Sequence, residues 1–197
     1  RSNGRLYRVA WAATYRPVKV DLAAKSDVEL AALHTHTSEW YVRTARRLLQ
    51  ERAATRGIEA AALAALRAQA ADPKADVVAQ LRALWTLHVI VSLAPAQLAA
   101  ALEHPSEIVR AWAVQLGTDF PAARVSRPVN SPDPGQATGA TPPMLTAADL
   151  TRLAANDPSS AVRLAVASAV PALPLADRWS VVAALAKQGE DAADRYL

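Results

Sequence analysis

The 197-residue chain contains no cysteine. That excludes disulfides, thiolate zinc sites, catalytic thiols and covalent haem attachment from this segment, and fits the cytosol as well as an exported setting. Phenylalanine occurs once and glycine six times, while 52% of residues are hydrophobic, chiefly alanine and leucine. β-branched and aromatic residues are too scarce for a sandwich or barrel, so an all-α fold is expected. No apolar run reaches the roughly 18–20 residues needed to span a bilayer. The longest, Leu84 to Ala94, is interrupted by His88 and Ser92. The N-terminus shows neither Met nor the apolar core of a signal peptide. Its opening, Arg1-Ser2-Asn3-Gly4, reads as the start of a piece taken from a longer chain. Also missing are a Gly-x-Ser-x-Gly elbow, a P-loop, a Rossmann glycine fingerprint and a paired-carboxylate constellation.

Charge is present but unevenly spread. The net charge is +4, yet residues 1–56 hold 11 Lys/Arg against 5 Asp/Glu, and residues 57–197 hold 11 against 13. A nucleic-acid binder is expected to carry a basic stripe along its length. Here the excess sits at one end, where Glu39, Arg43, Arg47 and Glu51 follow i,i+4 spacing and can neutralise one another.

What the chain has in abundance is one short module. Its clearest copy is Asp157-Pro158-Ser159-Ser160-Ala161-Val162-Arg163-Leu164-Ala165. Looser copies run from His104 to Ala113 and from Thr37 to Ala45, and a fourth from Asp76 to Leu84. In each, an arginine (Arg43, Arg82, Arg110, Arg163) lies six positions after a helix-starting residue. The arginines are 39, 28 and 53 residues apart. Two-helix repeats run at roughly 40 residues, and the long last interval contains a Pro-rich insertion.

Read in order, residues 5–11 alternate polar and apolar after an Asn3-Gly4 turn signal and are expected to form one strand. A lone strand needs a partner, so it is assigned to a preceding domain. Residues 12–25 form an extended connector, which puts a domain boundary at residue 25, and residues 26–197 form the helical domain. Ser26 with Glu29 makes a capping box, and Val28, Leu30 and Leu33 supply the apolar stripe. The partner helix, Ser38 to Ala54, is expected to bury Tyr41, Ala45, Leu48 and Leu49. Further helices are predicted over Ile58–Ala71, Asp76–Leu93, Pro95–Glu103 and Ser106–Leu116. Residues 118–145, rich in proline, read as a surface insertion. Helices resume over Thr146–Ala154, Ser159–Val170 and Pro174–Gln188, and Asp191–Leu197 opens another. Each pair buries one face alone, so four to five pairs are stable only as a stacked superhelix.

The Asp157-Pro158 start followed by Val162-Arg163 resembles the HEAT-repeat signature. A broader resemblance is carried by Asn3-Gly4-Arg5-Leu6-Tyr7-Arg8-Val9, the stretch from Ser38 to Leu49, Leu81 to His88, Val109 to Leu116 and Gly189 to Asp194. Together these stretches are similar to the C-terminal part of the putative membrane-bound dehydrogenases of the planctomycete type. That family joins a glucose/sorbosone-dehydrogenase-like β-propeller to HEAT-like helices and a c-type haem domain. The resemblance implies that residues 3–11 are the last propeller strand and that the rest is a non-catalytic scaffold. It implies an exported or periplasmic oxidoreductase as the parent, with c-type haem and a quinone cofactor or Ca in the propeller. Flanking propeller and haem domains would then be its partners. The Cys-x-x-Cys-His of haem attachment is absent here, as are propeller catalytic residues.

From the residues alone, no catalytic, cofactor-binding or metal site is assigned. His34 and His36 are expected to lend turn polarity, and His88 to be a satisfied core or groove residue. The four arginines are expected to join neighbouring repeats, reaching a carboxylate or a helix-terminal carbonyl. Trp40, Trp85 and Trp112 are expected in core or inter-repeat packing. Glu190, Asp191 and Asp194 are expected to cap a following helix. Two rival readings stand beside the scaffold. One is a stand-alone repeat protein binding a protein or nucleic-acid partner. The other is a glycosylase-like helical enzyme, needing a groove carboxylate among Asp72, Asp76 and Asp157.

Overall fold

The computed structural model describes residues 9, 11–16, 19–119 and 144–191, and among these the fold is all-α with no strand. The predicted strand at 3–11 lies outside the described residues except for Val9 and Trp11, both exposed. Most of the Pro-rich stretch 118–145, and the predicted helix from residue 192 onward, lie outside them too.

Helix α1 (Asp27–Ala32) opens on the expected capping box. The Ser26 hydroxyl accepts the Glu29 N–H at 3.2 Å, and the Glu29 carboxylate accepts the Ser26 N–H at 2.9 Å. A 3-10 turn, Leu33–Thr35, leads to α2 (Glu39–Thr55), which ends at Gly57, whose φ of 80° lies in the left-handed region. The second pair is α3 (Ala60–Ala71) and α4 (Val77–Val89), the third α5 (Pro95–Leu102) and α6 (Glu107–Thr118). Then come α7 (Ala147–Asn156), α8 (Ser160–Ala169) and α9 (Leu175–Leu185). Thr146 and Asp149 form a second capping box at the start of α7.

Three predictions are corrected. Helix α4 stops at Val89 rather than Leu93. Val91 (φ 55°) donates to the His88 carbonyl and Ser92 to that of Leu87, a left-handed termination normally given to glycine. Because a valine occupies that position, nothing in composition announced the stop. In α2, Val42, Ala45 and Leu49 are buried, whereas Tyr41 and Leu48 are only half-buried. The buried face is therefore rotated by about half a turn-step from the expected one, which turns Trp40 outward on the opposite side. Val28 is likewise exposed, so α1 holds on through Leu30 and Ala31.

The helices pack in two layers. First helices meet as α1 on α3 and α7 on α9, and second helices as α2 on α4, α4 on α6 and α6 on α8. Between α3 and α5 the first layer opens into a cleft. Two apolar clusters result. One gathers Leu22, Leu30, Leu49, Leu66 and Leu87, and the other runs from Leu81 and Leu84 through Val114, Leu150 and Val166 to Val181. Leu22 belongs to the first cluster, so the packed helical body reaches back into the expected connector. Helix α4 feeds both, with 7 of its 13 residues buried. A helix apolar on nearly every side can only be an interior one.

Gly117, in the last turn of α6, anchors the chain where it returns from residues 120–143. Its carbonyl accepts the N–H groups of Met144 (3.0 Å) and Leu145 (3.2 Å). A Cβ there would stand 2.4 Å from Leu145 Cγ and 2.8 Å from Leu98 Cδ2, both on buried side chains. Gly117→Ala should therefore destabilise by about 1–3 kcal/mol, although the same change in an open helix gains about 1 kcal/mol. Urea denaturation followed by circular dichroism measures the difference, and a stabilised variant would contradict the close approach.

Candidate functional site

The polar chemistry of this chain gathers at the turns between helices. His36, His104 and Asp157 each sit two residues before a serine and perform one task. His36 Nδ1 accepts the Ser38 N–H (2.9 Å), His104 Nδ1 the Ser106 N–H (3.0 Å), and Asp157 Oδ1 the Ser159 N–H (2.9 Å). Ser38, Ser106 and Ser159 are the N-cap residues of α2, α6 and α8. Each side chain thus satisfies a donor just before a helix start. The pattern His-Thr-Ser, His-Pro-Ser, Asp-Pro-Ser was readable in the sequence as the shared turn.

That turn sets the register of the arginines. Arg110 and Arg163 lie four residues after their N-cap serines, at the same position of the helix. Arg110 grips Asp157 with two parallel bonds, Nε to Oδ2 at 2.8 Å and Nη2 to Oδ1 at 2.9 Å, while Nη1 reaches the His104 carbonyl at 2.9 Å. Arg163 repeats this one pair on. Nη1 donates to the Asp157 carbonyl at 2.8 Å, and Nε and Nη2 donate to Asp191 at 2.5 and 2.7 Å. Glu190 takes a further bond from Arg163 Nη2 at 2.5 Å. Glu190 and Asp191 thus hold Arg163, while Asp194 and the helix they were expected to cap lie outside the described residues.

Of the other two arginines, Arg82 joins neighbouring pairs as expected, though in the backward direction, and Arg43 departs from the ladder. Arg43 lies five residues after Ser38, one position off, and the 100° this adds turns it to solvent with only Glu39 at 3.7 Å. Arg82 is six after Asp76 and reaches backward, donating to the carbonyls of His34 (3.1 Å) and His36 (3.2 Å) and to the Glu39 carboxylate. The position in α4 that matches Arg110 belongs to Gln80, whose Nε2 donates to the Asp72 carbonyl at 2.6 Å. The joint between the first two pairs is made by Asp27 instead. It is fully buried and accepts from Arg52 (2.8 Å), Arg56 (2.8 Å) and the Glu59 N–H (3.1 Å).

The electrostatics follow from these bonds. Burial pushes the Asp157 carboxyl up, but the Arg110 fork and the Ser159 N–H outweigh it and hold it below the ordinary 3.8. Asp27 is the same case, with Arg52, the Glu59 N–H and Arg56 overcoming burial. Asp157 is thereby an ionised joint with its oxygens occupied, which is unsuited to general-base work. Asp72 accepts the Lys74 N–H at 2.9 Å, and Asp76 is the N-cap residue of α4 without a side-chain cap bond.

Both ring nitrogens of His34 are engaged within the fold. His34, fully buried, puts Nδ1 against the Ala31 and Leu30 carbonyls (3.0 and 3.2 Å) and Nε2 against Thr86 Oγ1 (2.6 Å). His88 Nε2 faces Asp119 at 3.4 Å. Trp85 and Trp112 meet edge to face at 4.8 Å across α4 and α6, as expected of inter-pair packing, and Arg46 lies over Trp85 at 5.3 Å. Trp40 does not share that role: it is exposed and touches Tyr41 edge-on. Arg46 was not singled out in the sequence, since only its neighbour Arg43 matched the spacing.

The cleft between α3 and α5 has a volume of about 740 Å³ and is lined mostly by alanine, valine and leucine, with Gln80 and Gln97 among them. Family models, curated proteins and solved structures yield no match to the chain.

Two measurements follow. Arg110→Ala and Asp157→Ala each strand a buried partner and should cost about 3 kcal/mol in urea denaturation. The double variant should cost clearly less than the sum, and additive losses would mean the pair carries no coupling. For His34, burial first and the nearby Arg46 and Arg82 next lower its pKa from 6.5 to about 4, against the opposing pull of the Ala31 and Leu30 carbonyls. The unfolded chain therefore takes up this proton near pH 6.5 and the folded chain only near pH 4. Stability from this group is full above pH 6.5 and falls as pH drops towards 4, by up to about 3 kcal/mol. His34→Leu should flatten that part of the stability–pH curve, and an unchanged slope would assign it elsewhere.

Proposed function

We propose that this chain is a non-catalytic, HEAT-like α-solenoid module that holds flanking domains in register. The observation that carries this reading is the pair-to-pair arginine joint, Arg110 to Asp157 and Arg163 to Asp191, made from the same position of successive second helices. Repeated joints of this kind define a stacking direction and spend their charge inside the molecule. The outer side of α9 supports the same reading. Leu175, Trp179 and Val182 follow i, i+4, i+7 spacing and are exposed, Trp179 by 70%. An apolar stripe on the last described helix suits a module abutted by another part of a larger protein.

The resemblance described above supplies the flanking domains in this proposal: a propeller dehydrogenase on one side and a c-type haem domain on the other, in an exported oxidoreductase. A nucleic-acid-binding reading is the weaker one, because the basic first pair is largely neutralised. Arg52 and Arg56 share Asp27, Arg47 pairs with Glu51, and Arg82 and Arg43 share Glu39. Among the described residues, no helix is long and apolar enough to cross a membrane.

The test is the reading frame around residues 1–197, followed by cross-linking mass spectrometry on its full product. Expected are a propeller upstream, a Cys-x-x-Cys-His segment downstream, and cross-links from Lys25, Lys74 or Lys187 to both. A frame without either domain overturns the parent assignment. Saturable DNA or RNA binding that weakens steeply with salt would instead favour the nucleic-acid reading.

A further inference from the structure

The outer side of α9 repeats the place where α7 takes its neighbour. Asp191 accepts Arg163 as Asp157 accepts Arg110, so α9 stands before Asp191 as α7 stands before Asp157, as the first helix of a pair. Helix α7 receives α9 along one side. Thr151 Oγ1 donates to Ser180 Oγ at 3.2 Å, and Gln188 Nε2 donates to the carbonyls of Ala154 (2.9 Å) and Ala155 (3.1 Å). Middle meets middle and end meets end, so the two helices run parallel.

Counted from their N-cap residues, Thr146 and Pro174, the two helices can be laid residue on residue. Ala147, Thr151 and Ala154 of α7 then correspond to Leu175, Trp179 and Val182 of α9. At these positions α7 is covered: Ala147 packs against the core, Thr151 is half-buried and Ala154 is fully buried. In α9 the same positions carry large apolar side chains, and all three are exposed. Val181 and Ala184, on the opposite side, are buried. A helix apolar on two opposite sides belongs inside a packed array, and among the described residues only one of these sides is covered.

The stripe runs from Leu175 to Val182, about 10 Å of helix, and is one helix wide. A stable interface between separate proteins takes roughly 800 Å² from each partner, far more than such a strip offers. A helix tethered to α9 by its own chain needs no such area, because the linkage holds it at high effective concentration. We propose that Leu175, Trp179 and Val182 receive the first helix of a further helix pair, encoded after Leu197 and packed parallel to α9. Helix α9 meets α7 through Ser180, and Ala184 one turn on is buried. The incoming helix offers small residues at the same spacing, because Trp179 fills the space that Thr151 leaves to α9. This inference rests on the solenoid reading and is independent of which domains flank the array.

The full product of the reading frame tests it, labelled with 5-fluorotryptophan, with Trp179→Phe assigning the ¹⁹F signal of residue 179. A soluble gadolinium chelate should relax that signal several-fold less than the signal of Trp40, which is exposed by 55%. p-Benzoylphenylalanine placed singly at Leu175 and at Val182 then identifies the occupant by photo-cross-linking and peptide mass spectrometry. Both sites should reach one segment encoded after Leu197, the second about seven residues further on in the same chain direction, as parallel helices require. The proposal is overturned by a frame that ends at Leu197, by a Trp179 signal as accessible as that of Trp40, or by cross-links to a second copy. Cross-linked positions about three residues apart would mean a strand, and reversed order an antiparallel helix, and either overturns it too. Cross-links that reach a haem domain directly remove this inference and leave the parent assignment standing. A frame with the helix pair but neither flanking domain removes the parent assignment alone.

Discussion

The second half of this molecule depends on a buried relay of charge. Arg110 holds the Asp157 side chain, the Asp157 carbonyl holds Arg163, and Arg163 holds Asp191. Arg163 is among the largest fully enclosed side chains, with 2% of its surface exposed. A guanidinium can be taken that far from water only if its donors are met, and here Nε, Nη1 and Nη2 all are. The relay therefore dictates how the α5–α6 pair, the α7–α8 pair and the segment from α9 to Asp191 sit against each other. Hydrophobic burial alone would allow many sliding arrangements of alanine-rich helices, whereas bidentate ion pairs allow few.

The same principle is met differently in the first half. Asp27 gathers the end of α2 and the start of α3 onto the start of α1, and Arg82 ties α4 back to the turn before α2. Between these two systems lies α4, which serves both apolar clusters and carries Gln80 where an arginine would fit the later pattern. The change from Arg to Gln coincides with the open cleft. A glutamine amide reaches its own turn but cannot extend across to the next pair, and the alanines around it fill little space.

Joints that consume charge also bear on function. Arg43, Arg47, Arg52 and Arg56 of the basic first pair each have a carboxylate partner, which leaves the Leu175–Trp179–Val182 stripe and the alanine-walled cleft as the distinctive apolar surfaces.

The sequence by itself determined the helical class, the helix pairs, two of the helix starts through the Ser26–Glu29 and Thr146–Asp149 boxes, and the presence of joints at Arg110 and Arg163. All of these rest on local rules, capping geometry and periodicity within a turn or two of chain. Tertiary structure alone decided which residues complete the joints. Asp157 is 47 residues from Arg110, and Asp191 is 28 from Arg163. It also decided that Arg43 faces solvent, because one residue of register rotates a side chain by 100° and only the turn at His36 sets that register. The stop at Val91, the close approach at Gly117 and the unpartnered oxygen of Gln80 belong to the same class. Each is a property of what lies opposite in space, and no local pattern encodes the neighbour that chain folding brings there.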